Sequence, residues 1–277
     1  MGRPVNRPAL LARPGPWLGA ALLVLALLVL VLALLACERP LEVERLEPLV
    51  LEVWPHDPDA FTQGLVWDDG RFLESTGRYG RSDLREVDAR SGEVLRRRAL
   101  ATNEFGEGLA LVDERLIQLT YREGVAHVYD RVTFEPIGRF GYDGEGWGLC
   151  FDGSWLWMSD GSDRLSRRDP ATFALSGSVQ VTRDGRAMPR LNELACVGEH
   201  IYANVWTTAE VVRIRKRDGR VDAVIDAGAL VPDDPRVRLD PDAVLNGIAF
   251  DPVAERFFLT GKLWDVMYVV RFEPGGG

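Results

Sequence analysis

The chain has few of the side chains that build metal sites and disulfide scaffolds. Its 277 residues include three cysteines and three histidines. The cysteines are Cys37, Cys150 and Cys196, and the histidines are His56, His127 and His200. These small numbers argue against a disulfide scaffold, a cysteine-rich zinc protein and a histidine-rich metal site. We therefore expect no cofactor, and only a structural cation in the interior stays open.

A net excess of basic residues and long helical patterns are also missing from the body of the chain. The formal net charge is −9, so nucleic acid is not an expected partner. Hydrophobic residues make up 46% and charged residues 27%, values that exclude a disordered chain. No long apolar pattern with a period of 3.6 residues occurs after the N-terminal segment, which disfavours a helical fold.

The N-terminal segment has the features of an export signal. Arg3, Arg7 and Arg13 precede an uncharged apolar run, Leu18–Ala36, that is long enough to cross a bilayer. The run ends in Leu-Leu-Ala followed by Cys37, which resembles the lipidation motif of bacterial lipoproteins. Two interpretations stay open, a signal peptide cleaved before a lipidated Cys37 and an uncleaved anchor. Both place the body outside the cytoplasm and attach it to the membrane.

A short pattern recurs five times in the body: a variable residue, a small residue or Glu, then Leu or Ile. Its middle positions are 64, 108, 148, 193 and 247, which are 44, 40, 45 and 54 residues apart. Three or four strand-sized segments follow each one, as in propeller blades. The sequence therefore predicts an all-β, five-bladed β-propeller over residues 49–273, after a tether over 37–48 and the signal or anchor over 1–36. The strand Leu49–Trp54 is expected to complete the last blade; a sandwich of hairpins is the alternative fold.

In a propeller, the residues that precede the repeated small residue form a ring at one mouth of the central channel. This first ring consists of Gln63, Glu107, Trp147, Asn192 and Asn246. The ends of the second strands should form a second ring at the same mouth. It consists of Thr76–Gly77, Thr120–Tyr121, Asp160–Gly161, Val205–Trp206 and Gly261–Lys262. Such varied polar and aromatic groups predict a ligand site, although Trp147 and Trp206 could instead pack between blades.

Six short motifs resemble those of the plant and bacterial glutaminyl-peptide cyclotransferases. They are Phe61–Gly64, Phe105–Gly108, Glu145–Gly148, Leu191–Leu194, Ala203–Trp206 and Thr260–Trp264. The resemblance implies a five-bladed propeller and a monomeric acyltransferase that converts the N-terminal Gln of peptides into pyroglutamate and releases ammonia. The family's acid matches Glu107, and its other site positions match Phe61, Gln63, Phe105, Trp147, Asn192, Trp206 and Lys262. Tyr121 replaces a Trp of the plant enzymes, which changes the contacts expected there.

The chemistry of this cyclisation suits the residues of the two rings. The α-amine of the substrate attacks its own side-chain amide, so no protein nucleophile or cofactor is needed. Glu107, the only acid of the first ring, can take the proton from the amine and give it to the leaving ammonia. Aromatic neighbours should raise its pKa by desolvation. Lys262, Asn192 and the Gln63 amide are the candidate donors to the oxyanion.

Three other functions stay open at this point. A propeller glycoside hydrolase needs two or three carboxylates, for which Glu107, Asp160 and Glu193 are the candidates. A calcium-dependent lactonase-like propeller needs several oxygen ligands. The candidates for these are Asp160, Asn192, Glu193 and Asn246. A non-catalytic binding propeller would release no ammonia.

The two cysteines of the body occupy different offsets in neighbouring repeats. Cys150 lies two residues after Gly148, whereas Cys196 lies three residues after Glu193. Side chains alternate between the two faces of a strand, so the two thiols should point to opposite faces. We therefore predict two free, buried thiols and no disulfide between them.

Overall fold

The computed structural model describes residues 42–276, and nearly all of their regular structure is β-strand. The first strand, β1, covers Glu44–Pro55. Each of the next three sheets contains four antiparallel strands in chain order. The first sheet is formed by β2 (Thr62–Asp68), β3 (Arg71–Thr76), β4 (Asp83–Asp88) and β5 (Val94–Ala99). The second is formed by β6 (Gly106–Val112), β7 (Arg115–Thr120), β8 (Val125–Asp130) and β9 (Pro136–Gly141).

The third sheet and a small hairpin follow. The sheet is formed by β10 (Leu149–Phe151), β11 (Leu156–Met158), β12 (Arg164–Arg168) and β13 (Leu175–Gln180). The hairpin, which was not predicted, is formed by β14 (Thr182–Arg183) and β15 (Arg186–Ala187). The remaining seven strands and β1 build an eight-stranded sheet.

The eight-stranded sheet joins two four-stranded groups. The first group is β16 (Leu191–Val197), β17 (His200–Val205), β18 (Glu210–Arg215) and β19 (Val221–Asp226). The second is β20 (Leu245–Asp251), β21 (Arg256–Gly261), β22 (Val266–Pro274) and β1. Between β19 and β20 lie a 3-10 turn, Gly228–Leu230, and a short helix, α1 (Pro235–Leu239). This segment accounts for the longest step between repeats.

Strand β1 pairs antiparallel with β22, so the prediction that a strand before the first repeat completes the last group is confirmed. The strand begins at Glu44 rather than at the predicted boundary, Leu49. Its first residues, Glu44–Leu46, also pair parallel with β19, which holds this part of the predicted tether in the sheet. The predicted segment 1–36 and Cys37 lie outside the described residues. Within residues 42–276, no helix is long and apolar enough to span a membrane.

The first strands of the five groups contact one another in a closed cycle, β2–β6–β10–β16–β20 and back to β2. Glycine allows their close approach. A Cβ atom at Gly108 would lie 2.5 Å from the Leu149 amide nitrogen, and one at Gly148 would lie 2.1 Å from the Asn192 carbonyl oxygen. Four of these strands also carry a bulge at the repeated pattern. Since a bulge redirects side chains, it orients the residue that precedes the small one.

A disulfide joins Cys150 in β10 to Cys196 in β16, with the Cα atoms 5.5 Å apart. The prediction of two free thiols is therefore wrong. The different offsets do place the two cysteines on opposite faces of their strands. Neighbouring sheets, however, stack with the front face of one sheet against the back face of the next. Side chains that meet between two sheets consequently come from opposite faces, and both cysteines join the same apolar cluster.

Candidate active site

A cavity of about 250 Å³ opens at the end of the cycle where the first strands begin. Its polar lining residues include Gln63, Glu107, Asn192 and Lys262. Its aromatic lining residues are Phe61, Phe105, Tyr121, Trp147 and Trp206. The fold thus brings together every residue that the resemblance assigned to a catalytic or substrate site. Arg78 and Asp242 complete the lining.

Glu107 lies at the start of β6 and is held by a short chain of amide groups. The Gln63 side-chain nitrogen donates to Glu107 Oε1 over 3.0 Å. Asn246 lies behind the cavity, and its side-chain nitrogen donates to the Gln63 Oε1 atom over 3.2 Å and to the Thr62 carbonyl oxygen over 2.8 Å. These bonds fix the orientation of both amides. No residue within 42–276 donates a hydrogen bond to the Glu107 Oε2 atom, which leaves it for a bound molecule.

Burial controls the protonation of the two charged groups in the cavity. Desolvation raises the pKa of Glu107 well above its ordinary value, and the positive charge of Lys262 only partly opposes this rise. Desolvation lowers the pKa of Lys262 to about 8, and the charge of Glu107 opposes that fall. No ion pair within 4 Å joins the two side chains in the described residues. At neutral pH, Lys262 is therefore mainly a cation, and Glu107 is suited to exchange a proton.

Lys262 is positioned by the turn at the end of β21. Its backbone amide donates to the Val244 carbonyl oxygen over 2.9 Å. Its Nζ atom lies 4.8 Å from the centroid of the Phe61 ring, close enough for a cation–π contact. Both contacts direct the ammonium group into the cavity rather than into solvent.

The aromatic side chains form two opposed walls. Phe61 and Phe105 make an edge contact with ring centroids 6.1 Å apart, and Tyr121 lies 5.8 Å from Phe105. Trp147 and Trp206 meet edge to face at 5.5 Å. Both tryptophans also face the cavity. Their packing role and a substrate-binding role are therefore compatible.

Three polar residues considered for other chemistries do not line the cavity. Asp160 is exposed, so it does not form a carboxylate pair with Glu107. Glu193 is fully buried behind the first ring, where its two oxygens accept bonds from the amides of Leu65 and Ile248. Asn246 binds Gln63 instead of a ligand. Within residues 42–276, no three His, Cys, Asp or Glu side chains are arranged to hold a metal ion.

Arg78 and Asp242 were missed by the sequence analysis. Arg78 directly follows Thr76–Gly77 of the second ring, so extending that ring by one residue would have found it. Asp242 lies in the segment between β19 and β20, and the unusually long fourth step was the available signal. The backbone path of that segment depends on packing that no local pattern shows.

Comparisons with known proteins agree with this geometry. The family model described as glutamine cyclotransferase matches residues 22–272. The chain is 38% identical over 226 residues to an Arabidopsis thaliana glutaminyl-peptide cyclotransferase, covering 81% of this chain and 71% of the relative. It is 40% identical to the Myxococcus xanthus glutaminyl cyclase in its crystal structure, with a TM-score of 0.79, covering 85% of this chain and all of that one.

Proposed function

The chain belongs to the glutamine cyclotransferase family, and we propose that it converts the N-terminal Gln of peptides into pyroglutamate with release of ammonia. The observation that carries this proposal is a single buried carboxylate, Glu107, in an aromatic-walled cavity beside a buried ammonium group. The cavity has room for a glutamine side chain. A glycoside hydrolase would need a second carboxylate in the cavity, and Asp242 at the exposed rim is poorly placed for that role.

In the proposed reaction, the α-amine nitrogen attacks the side-chain amide carbon and forms the ring bond. Glu107 takes a proton from the attacking nitrogen and passes it to the amide nitrogen. The carbon–nitrogen bond of the amide then breaks, and ammonia leaves. Amine and amide belong to the same residue, so the walls only need to hold that residue in its folded conformation. A carboxyl group whose pKa is raised towards that of the amine transfers the proton in both directions at low cost.

Lys262 is the donor that we propose for the developing oxyanion. The Gln63 amide already donates to Glu107, which leaves Lys262 and Asn192 from the three candidates. Lys262 is mainly cationic below pH 8 and is buried, and a buried cation stabilises a negative charge more than a neutral amide does. The buried Oδ1 atom of Asn192 has no hydrogen-bond partner within residues 42–276, so this residue is suited to accept a bond from the substrate amine.

We further propose a five-bladed propeller, with the five four-stranded groups as blades and the first strands around the channel. The closed cycle of first-strand contacts supports this arrangement. We also propose that the chain is exported and membrane-attached through its N-terminus, either by a lipidated Cys37 or by an uncleaved anchor, and that it works as a monomer without a cofactor. The arginines before the apolar run Leu18–Ala36 support export.

The test is a coupled ammonia assay on the purified protein with a dipeptide that begins with Gln. The proposal requires equal amounts of ammonia and of a product that has lost the mass of ammonia. A dipeptide that begins with Asn is the control, because its side chain is one methylene too short to close a five-membered ring. A purified, folded protein that releases no ammonia from the Gln peptide would contradict the proposal.

A further inference from the structure

The rim of the cavity carries two charged side chains that the cyclisation does not use. The positive charge of Arg78 is balanced by Asp240, to which the guanidinium group donates over 3.3 Å. The same group lies 4.4 Å from the centroid of the Phe61 ring. Asp242 is exposed, and its carboxylate takes part in no hydrogen bond and no ion pair within residues 42–276. The rim therefore presents one negative charge without a partner.

The backbone around Asp242 is held firmly in place. Ala243 is buried, and its carbonyl oxygen accepts a bond from the Trp264 indole nitrogen over 3.2 Å. The next residue, Val244, accepts the amide of Lys262 over 2.9 Å. The Asp242 amide itself donates to the Asp240 side chain over 2.9 Å. The backbone that carries the Asp242 side chain is consequently fixed beside the cavity, and little ordering of this backbone is needed when a partner binds.

The direction of a bound peptide follows from the chemistry. The amine and the side-chain amide of the first residue must both reach Glu107 inside the cavity. The rest of the peptide must then leave through the mouth, so its second residue passes the rim. On the basis of the proposed function, we infer that Asp242 favours peptides in which Lys or Arg directly follows the N-terminal Gln.

The other charges near the mouth form no ion pair with Asp242 within residues 42–276, and only the longer-range attraction of Lys262, whose pKa Asp242 raises, acts on it. Arg122 bonds to Glu145 over 2.9 Å, and Glu123 accepts a bond from Tyr79 over 3.0 Å. The preference should be modest, since exposed ion pairs contribute little. We expect kcat/KM for a Gln-Lys peptide to exceed that for a Gln-Glu peptide about two- to fivefold. The difference should shrink at high salt, because added ions screen exposed charges.

The experiment compares three tripeptide amides, Gln-Lys-Ala, Gln-Ala-Ala and Gln-Glu-Ala, by ammonia release from the full chain and its variants. Asp242→Asn removes the rim charge. Asp113→Asn is the matched control, because Asp113 is exposed in the turn at the far end of β6 and has a positive φ that Asn also adopts. For each variant we compare the ratio of the kcat/KM values for two peptides. An effect of the substitution on Lys262 changes both values alike and therefore cancels in the ratio.

Asp242→Asn should bring the Lys-to-Glu ratio close to one, whereas Asp113→Asn should leave it at the wild-type value. Asp242→Lys should reverse the preference. A wild-type ratio of one or below, or a ratio that survives in Asp242→Asn, would overturn the inference while ammonia release from Gln-Ala-Ala still supports the proposed function. Absence of ammonia from all three peptides would instead contradict the proposed function on which the inference rests.

Discussion

Glu107 and Glu193 are both buried acids on first strands, and burial raises the pKa of both well above the ordinary value. Their surroundings differ. Both Glu193 oxygens accept backbone amides, from Leu65 at 3.0 Å and from Ile248 at 2.8 Å, so this side chain ties β16 to β2 and β20. Glu107 accepts one side-chain amide, from Gln63, and faces a cavity with a lysine beside it.

This difference separates a structural carboxylate from the one that we propose to be catalytic more clearly than either pKa does. A perturbed pKa is common to active sites and to buried networks. What matters is whether the oxygens are already satisfied by the protein. In Glu193 they are, and a proton transfer there would weaken the backbone bond at the oxygen that takes the proton. In Glu107 one oxygen is left for a substrate.

The largest effect is expected when Glu107 loses its ability to carry a proton. Glu107→Gln keeps the shape of the side chain but does not exchange a proton near neutral pH. We expect turnover on a Gln peptide to fall by about 10²–10⁴, with little change in melting temperature. Steady-state kinetics and a thermal melt of the same sample measure both quantities. Near-wild-type turnover would remove Glu107 from the chemistry.

The opposite behaviour is expected of the second carboxylate. Glu193→Ala leaves the amides of Leu65 and Ile248 without acceptors and opens a void between three strands. The free energy of unfolding should fall by about 2–5 kcal/mol, as measured by denaturant titration. Turnover per folded molecule should stay within about tenfold of the wild type. A stable variant with catalysis as poor as that of Glu107→Gln would mean that the two acids act together.

A smaller effect tests the charge of the cavity lysine. The α-amine of a substrate has a pKa of about 7.7–8.0, so kcat/KM should first rise with pH as this amine loses its proton. It should then fall as Lys262 loses its own proton, since the pKa of Lys262 is lowered to about 8. At pH 9, kcat/KM should be about one-third of its value at pH 8, because the roughly fivefold loss of protonated Lys262 outweighs the roughly twofold gain of free amine.

Lys262→Arg keeps the positive charge over the whole pH range of the assay, because arginine stays protonated there. The variant should therefore lose the fall at high pH, whatever its overall rate. The measurement is the ratio of kcat/KM at pH 9 to that at pH 8. An equal fall in the variant and the wild type would show that another group controls the alkaline side of the profile.

Much of the fold and of the site was predictable because the repeats place glycine where strands meet. The close approach at Gly108 and Gly148 is a local requirement, so the sequence shows it at regular intervals. The segment Leu49–Trp54, predicted as a strand before the first repeat, lies within β1. Once the first strands are aligned, Gln63 and Glu107 must share one mouth.

The features that were missed depend on how separate units pack together. The bond from the Trp264 indole to Ala243 places Asp242 at the rim, and it spans two distant segments. The disulfide between Cys150 and Cys196 depends on how one sheet stacks on the next. Neither relation leaves a periodic signal in the sequence, whereas both are evident from the contacts between sheets.

The central claim is that burial raises the pKa of the Glu107 carboxyl group well above its ordinary range. The most direct measurement is the infrared difference spectrum between the wild type and Glu107→Gln, recorded as a function of pH. The variant has no carboxyl group at position 107, so the carbonyl band of that protonated group should appear in the difference spectrum. This band should persist at pH values well above the ordinary glutamate pKa of about 4.3. A band that disappears at that ordinary value, with the protein folded, would contradict the account.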